Sequence, residues 1–153
     1  MNFESVHELI KFAIEEENEA ALFYEKLSQI EPNKGTKNMF SEFANEERKH
    51  ASMLEGFKQN QQKINEYSLK WVPDMKRTDY MVEVNYEPNM TYRDILRLAI
   101  AREDKSLNLY NELLIKTDDD NTIKMFKILC QEEAEHKLKL ETLYDDYMKE
   151  HGD

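Results

Sequence analysis

Asn45-Glu46-Glu47-Arg48-Lys49-His50-Ala51 decides the reading of this chain, because Gln131-Glu132-Glu133-Ala134-Glu135-His136-Lys137 repeats its Glu-x-x-His core 86 residues later. The same offset joins Glu17 to Glu103 and Tyr24 to Tyr110. A Glu and a His three residues apart share one face of a helix. Two such pairs, with one further Glu from each of two other helices, are the ligand set of a dinuclear metal site inside a helical bundle.

Working outward from these motifs, apolar residues recur at helical spacing on either side of them. Ser5-x-x-Glu8 is a capping box. It is followed by Leu9, Ile10, Ala13, Ile14, Ala20, Ala21, Phe23, Tyr24 and Leu27, which predicts a helix over about Val6 to Ile30. Pro32, Asn33 and Gly35 interrupt the pattern. It resumes at Met39, Phe40, Phe43, Ala44, Ala51, Leu54 and Phe57, making a helical hairpin.

A second copy opens with Thr91-x-x-Asp94 and runs through Ile95, Leu98, Ala99, Ile100, Leu107, Tyr110 and Leu113. Asp118 to Asn121 is the expected turn. Met125, Phe126, Leu129, Cys130, Leu138, Leu140, Leu143 and Tyr147 follow on the apolar side of a fourth helix. Only two copies occur and the period is far longer than a solenoid repeat, so the pattern reads as a duplicated hairpin. Residues 71–90, with Pro73, Pro88 and an alternating stretch from Met81 to Tyr86, read as a crossover between the copies. Twenty extended residues reach about 65 Å, enough to run the roughly 40 Å length of such helices. The expected fold is all-α: one ferritin-like four-helix bundle over residues 1–153, built from two hairpins joined by one long crossover.

Position along the helices selects the ligands. In an antiparallel hairpin, residues equally far from the turn lie level. Glu17 and Glu47 are equidistant from Pro32, and Glu103 and Glu133 from Asp118, so each Glu sits roughly 20 Å from its turn. The faces agree as well. Ala13, Glu17, Ala20 and Tyr24 align, as do Phe40, Phe43, Glu47, His50 and Leu54, and the second copy repeats both stripes. Ionised carboxylates on apolar faces cost several kcal/mol each, or take up protons, unless cations compensate them. Two divalent ions balance four carboxylates. Carboxylates with imidazoles suit iron or manganese, with zinc as a substitute.

The same offset separates the ligand set from chance matches. Glu-x-x-His arises readily by chance in so acidic a chain, and Glu4-x-x-His7 is a third instance. Its counterparts are Met90 and Arg93, so it is assigned to the surface. Of the run Glu15, Glu16, Glu17 and Glu19, only Glu17 repeats; its neighbours become Ala101, Arg102 and Lys105. Glu46 and Glu132 repeat without a histidine three residues on, and are read as neighbouring acids. Tyr24 and Tyr110 are either core aromatics or hydrogen-bond partners of ligand carboxylates. Cys130 reads as a small core residue, since nothing near it in sequence lowers its pKa.

Composition narrows the function classes. A formal charge of −11 repels nucleic acid and anionic membranes. A single cysteine and an N-terminus without a basic region before an apolar core point to the cytoplasm. No apolar run approaches the ~18 residues of a membrane helix.

On Glu17-Asn18-Glu19-Ala20 with Tyr24, Glu47-Arg48-Lys49-His50-Ala51, Glu103 with Tyr110, and Glu133-Ala134-Glu135-His136, the chain resembles the rubrerythrins of the ferritin-like superfamily. The resemblance implies two iron ions, with Glu47 and Glu133 bridging them, Glu17 and Glu103 as terminal ligands, and His50 and His136 each holding one. It implies a centre that cycles between ferrous and ferric states with hydrogen peroxide or dioxygen, as in oxidative-stress defence. Two departures are visible. Rubrerythrins usually carry a four-cysteine rubredoxin-like iron site, which one cysteine cannot build, so electrons are expected from a separate donor such as a rubredoxin. Rubrerythrins also have an extra glutamate one turn after the helix-3 ligand, where this chain has Ser106.

Two other functions are compatible with the pattern. Bacterioferritin shares the two Glu-x-x-His pairs and a Tyr seven residues after the first Glu, which implies a ferroxidase or iron-storage role. Its haem methionine, however, falls at Arg48, and a storage cage is a very large oligomer, whereas a rubrerythrin-like protein is a monomer or homodimer. The third reading is a non-catalytic metal-binding bundle, disfavoured by retention of all six ligands.

Overall fold

The computed structural model describes residues 3, 5–59, 75–82, 86–87, 89–117 and 119–151. It is all-helical, with no β-strand among the described residues. Four long helices dominate: α1 (Val6–Ile30), α2 (Lys34–Gln59), α3 (Tyr92–Lys116) and α4 (Asp120–His151). None is long and apolar enough to cross a membrane. The chain divides into two compact units, one holding the α1/α2 hairpin and one the α3/α4 hairpin.

In the first hairpin, α1 begins where the capping box places it, with Ser5 Oγ accepting from the Glu8 amide at 3.1 Å. It runs over the expected span and ends as the Glu31 amide donates to the Leu27 carbonyl. Asn33 then caps α2, its Oδ1 accepting from the Thr36 amide at 2.9 Å. Leu9, Ala13, Tyr24 and Leu27 of α1 and Phe40, Phe43, Ala44 and Leu54 of α2 are buried. The aromatic members form one cluster: Tyr24 stacks on Phe40 at 6.1 Å and meets Phe43 edge-on at 5.3 Å. At the exposed edge, Arg48 reaches across to Glu25 at 2.7 Å.

The second hairpin repeats these devices. Thr91 Oγ1 caps α3 through the Asp94 amide, and Asp119 caps α4, accepting from both the amide and the hydroxyl of Thr122 at 2.8 Å. Asn33/Thr36 and Asp119/Thr122 are themselves 86 residues apart, a repeated cap that the turn reading overlooked. Helix α4 therefore starts at Asp120, and both Asp120 and Asn121 of the expected turn are helical, because acidic and amide residues are at ease beside the open N–H groups of a first turn. Asp118 lies outside the described residues. Lys137 ties α4 to Asp104 of α3 at 2.6 Å.

One member of the expected α4 apolar side is corrected. Leu138 is 65% exposed, because it sits two residues past His136, roughly 200° around the helix from the buried face. Of the expected crossover over residues 71–90, residues 71–74, 83–85 and 88 lie outside the described residues, including Trp71, Pro73 and Pro88. The remainder contains a 3₁₀ turn at Arg77–Tyr80, with Met75 and Tyr80 buried.

Candidate metal centre

Each hairpin delivers one Glu from its first helix and a Glu-x-x-His pair from its second. In the first, Glu17 projects from α1, and Glu47 and His50 from α2, on the faces that also carry Ala13, Tyr24, Phe43 and Leu54. In the second, Glu103 projects from α3, and Glu133 and His136 from α4, alongside Ala99, Tyr110, Leu129 and Leu140. All six side chains are buried, none more than 2% exposed. Charged side chains are almost never this buried unless something compensates them.

Within each triad, one ligand atom from every member lies within 4.8 Å of the others. His50 Nδ1 is 3.4 Å from Glu17 Oε2, and His136 Nδ1 is 3.6 Å from Glu103 Oε1. Those separations suit two donors sharing one ion. Nitrogen and oxygen ligands about 2.1 Å from a metal, at angles between octahedral and tetrahedral, stand roughly 3.0 to 3.4 Å apart; the 3.4 Å pair of the first triad falls at the upper end of that range and the 3.6 Å pair of the second is slightly wider. Each triad therefore offers two carboxylates and one imidazole, a set that favours a first-row transition ion over an alkaline-earth ion.

Tyr24 and Tyr110 are buried beside the ligand-bearing faces, each stacked on the equivalent phenylalanine, Phe40 or Phe126, at 6.1 and 6.2 Å. Ser106 is half-buried on α3, one turn after Glu103, and Glu46 and Glu132 are also half-buried. Glu4 lies outside the described residues, and His7 sits half-buried in the first turn of α1, away from the triad level. Cys130, expected in the core, is half-buried, with its Sγ 3.4 Å from Asn111 Oδ1. Burial first, and the negative charge of Glu133 second, push its thiol pKa above the ordinary range, the opposite of an activated thiol.

A family model described as Rubrerythrin matches residues 8–146. No curated protein matches the sequence. Among solved structures, the chain is similar to a candidate ferritin-like diiron-carboxylate protein of Thermotoga maritima, at 25% identity and a TM-score of 0.77, covering 96% of this chain and 99% of that one. It is also similar in fold to a hypothetical protein of Pyrococcus furiosus, at 22% identity and a TM-score of 0.71, over 93% of this chain and 89% of that one. The all-helical architecture with four long helices is thus the ferritin-like four-helix fold.

Proposed function

The chain belongs to the rubrerythrin family, and from that premise we propose that its two Glu, Glu, His triads together hold two iron ions that react with hydrogen peroxide or dioxygen. The observation that carries this reading is the burial of six ligand side chains in two triads, each with donors at shared-ion distances. Bound iron supplies one-electron redox chemistry toward the oxidant.

The chain's own residues do the rest. Four carboxylates offset the four positive charges of two ferrous ions, which removes the penalty of burying those acids. Glu47 and Glu133 would be the carboxylates shared by the ions, Glu17 and Glu103 would each serve one ion, and His50 and His136 would each supply an imidazole to one ion. The aromatic rings of Tyr24, Phe40 and Phe43 in one hairpin, and of Tyr110 and Phe126 in the other, keep the faces beside the ligands apolar and limit water. Ser106 supplies no carboxylate where rubrerythrins have their extra glutamate, so a ligand exchange on that turn is not part of this chemistry. The electron donor in this proposal is a separate protein, for which a rubredoxin is the natural class.

Stopped-flow absorbance of the anaerobic ferrous protein, mixed separately with each oxidant, tests the reading. A ferric signal within seconds is expected, faster with the physiological oxidant. Absence of any ferric signal with both oxidants contradicts it. Turnover with dioxygen alone by a very large oligomer on a sizing column would instead place the protein among the iron-storage ferroxidases.

A further inference from the structure

The duplication supplies an internal control for a second site, on the side of α3 turned away from Glu103. In the first hairpin, the outer face of α1 is closed by an aromatic pair, Phe3 packing on Phe12 at 5.2 Å with both rings buried. The counterparts are Asn89, which is exposed, and Leu98. At the position equivalent to the Phe3–Phe12 pair, the second copy has a cavity of about 620 Å³ over Leu98 and Ala101, walled by Met81, Val82 and Met90 of the segment leading into α3. That volume lies in the range of small-molecule sites.

The charges have diverged in the same place. Positions 8, 11, 15 and 19 are Glu, Lys, Glu and Glu, a net of two negative charges. Their counterparts 94, 97, 101 and 105 are Asp, Arg, Ala and Lys, a net of one positive charge. This is a local reversal in a chain of formal charge −11. Arg97 and Lys105 both line the cavity, eight residues and about 12 Å apart along α3. Both are also held in position. Arg97 Nε donates to the Tyr144 hydroxyl at 3.1 Å, and Lys105 Nζ donates to the Asp79 carbonyl at 3.2 Å, each keeping further N–H groups for a ligand. Asp94 lies at the same end as Arg93, 3.7 Å from it.

We propose that this cavity binds a small amphipathic organic anion, with its acid group at Arg97 or Lys105 and its apolar body on Leu98, Ala101 and the adaptable methionine side chains. A neutral molecule of the same shape gains nothing from the two cations, and a small inorganic anion leaves the apolar floor uncovered. The class includes aliphatic acids such as fatty acids and compact aromatic acids. The two sources share the acid group and differ in the body.

Fluorescence titration with 1-anilinonaphthalene-8-sulfonate, an amphipathic anion, tests the proposal on the full chain. Saturable binding to the wild type is expected. Lys105→Glu, which restores the charge of the first copy at a partly exposed position, should weaken it about tenfold. Ala101→Phe, which puts a ring into the cavity, should abolish it, with circular dichroism confirming that the variant is helical. Displacement by decanoate but not by 1-decanol identifies an aliphatic acid, and displacement by 1-naphthoate alone an aromatic one. Affinity unchanged in Lys105→Glu, or equal displacement by decanoate and decanol, overturns the proposal. Neither readout depends on bound metal.

Discussion

The two hairpins hold the same ligands in different surroundings. Both present Glu, Glu and His from equivalent positions, and both put a tyrosine on an equivalent phenylalanine. Around that constant part, Phe23, Phe43 and Ala44 of the first hairpin become Leu109, Leu129 and Cys130 in the second. The first surrounds its triad with a connected aromatic cluster, while the second uses aliphatic side chains and opens a cavity on its outer face. The Glu, Glu, His set is thus kept in both copies while the residues that only fill space differ. Core volume can be met by many combinations, whereas a ligand set cannot.

The sharpest way to break this comparison is to remove ligands one at a time. Glu47→Ala and Glu133→Ala should each lower iron affinity by at least about 100-fold if, as proposed, these carboxylates are shared by both ions. His50→Ala and His136→Ala should each cost one iron. Elemental analysis and calorimetric titration read both effects, and unequal losses between equivalent positions would break the symmetry of the triads.

Packing should separate the hairpins next. Phe40→Ala and Phe126→Ala each remove a fully buried ring and should cost about 3 to 5 kcal/mol in urea unfolding. Phe40 also meets Phe43 edge-on, and the counterpart of Phe43 in the second hairpin is the aliphatic Leu129, so the loss of Phe40 should be larger by about 0.5 to 1.5 kcal/mol. Equal costs would show that the aromatic cluster adds nothing beyond its area.

The caps give a smaller contrast. Asn33→Ala and Asp119→Ala should each destabilise by about 0.5 to 2 kcal/mol, with Asp119 the larger because its carboxylate accepts two hydrogen bonds from Thr122 and carries charge at a helix N-terminus.

How much of this could be read from the letters follows from the kind of interaction involved. The triads and the Ser5 and Thr91 caps are sequence-local or tied to a fixed offset, and a repeat of 86 residues marks them. Asn33 and Asp119 carried the same signal, an Asx three residues before a threonine, but were absorbed into a turn reading because turns and caps use the same residues. Leu138 was misplaced because hydrophobicity alone does not say which side of a long helix is covered. The cavity was not legible at all. Asn89 and Leu98 stand where Phe3 and Phe12 pair in the other copy, and the placement of Met81, Val82 and Met90 against α3 is not a sequence-local property.

The smallest contrast is electrostatic. Each hairpin has a salt bridge between its helices, Arg48 to Glu25 and Lys137 to Asp104, both partly exposed and each contributing about 0.2 to 1 kcal/mol. The hydrogen bond to Asp104 leads the causes that raise the Lys137 pKa above the usual lysine range. A raised folded-state value means that this contribution is complete below the unfolded lysine pKa and is lost as pH rises through the folded one. Lys137→Ala should therefore lower stability at pH 7 and lose its effect in strongly alkaline buffer, as denaturant midpoints across pH would show.

The central claim is that two equivalent triads make one di-iron protein. Iron content per chain after anaerobic loading and desalting tests it most directly. The account predicts two iron ions per chain in the wild type, falling to one in His50→Ala and in His136→Ala alike. A single iron per wild-type chain, or none under conditions where the protein is folded, would contradict it.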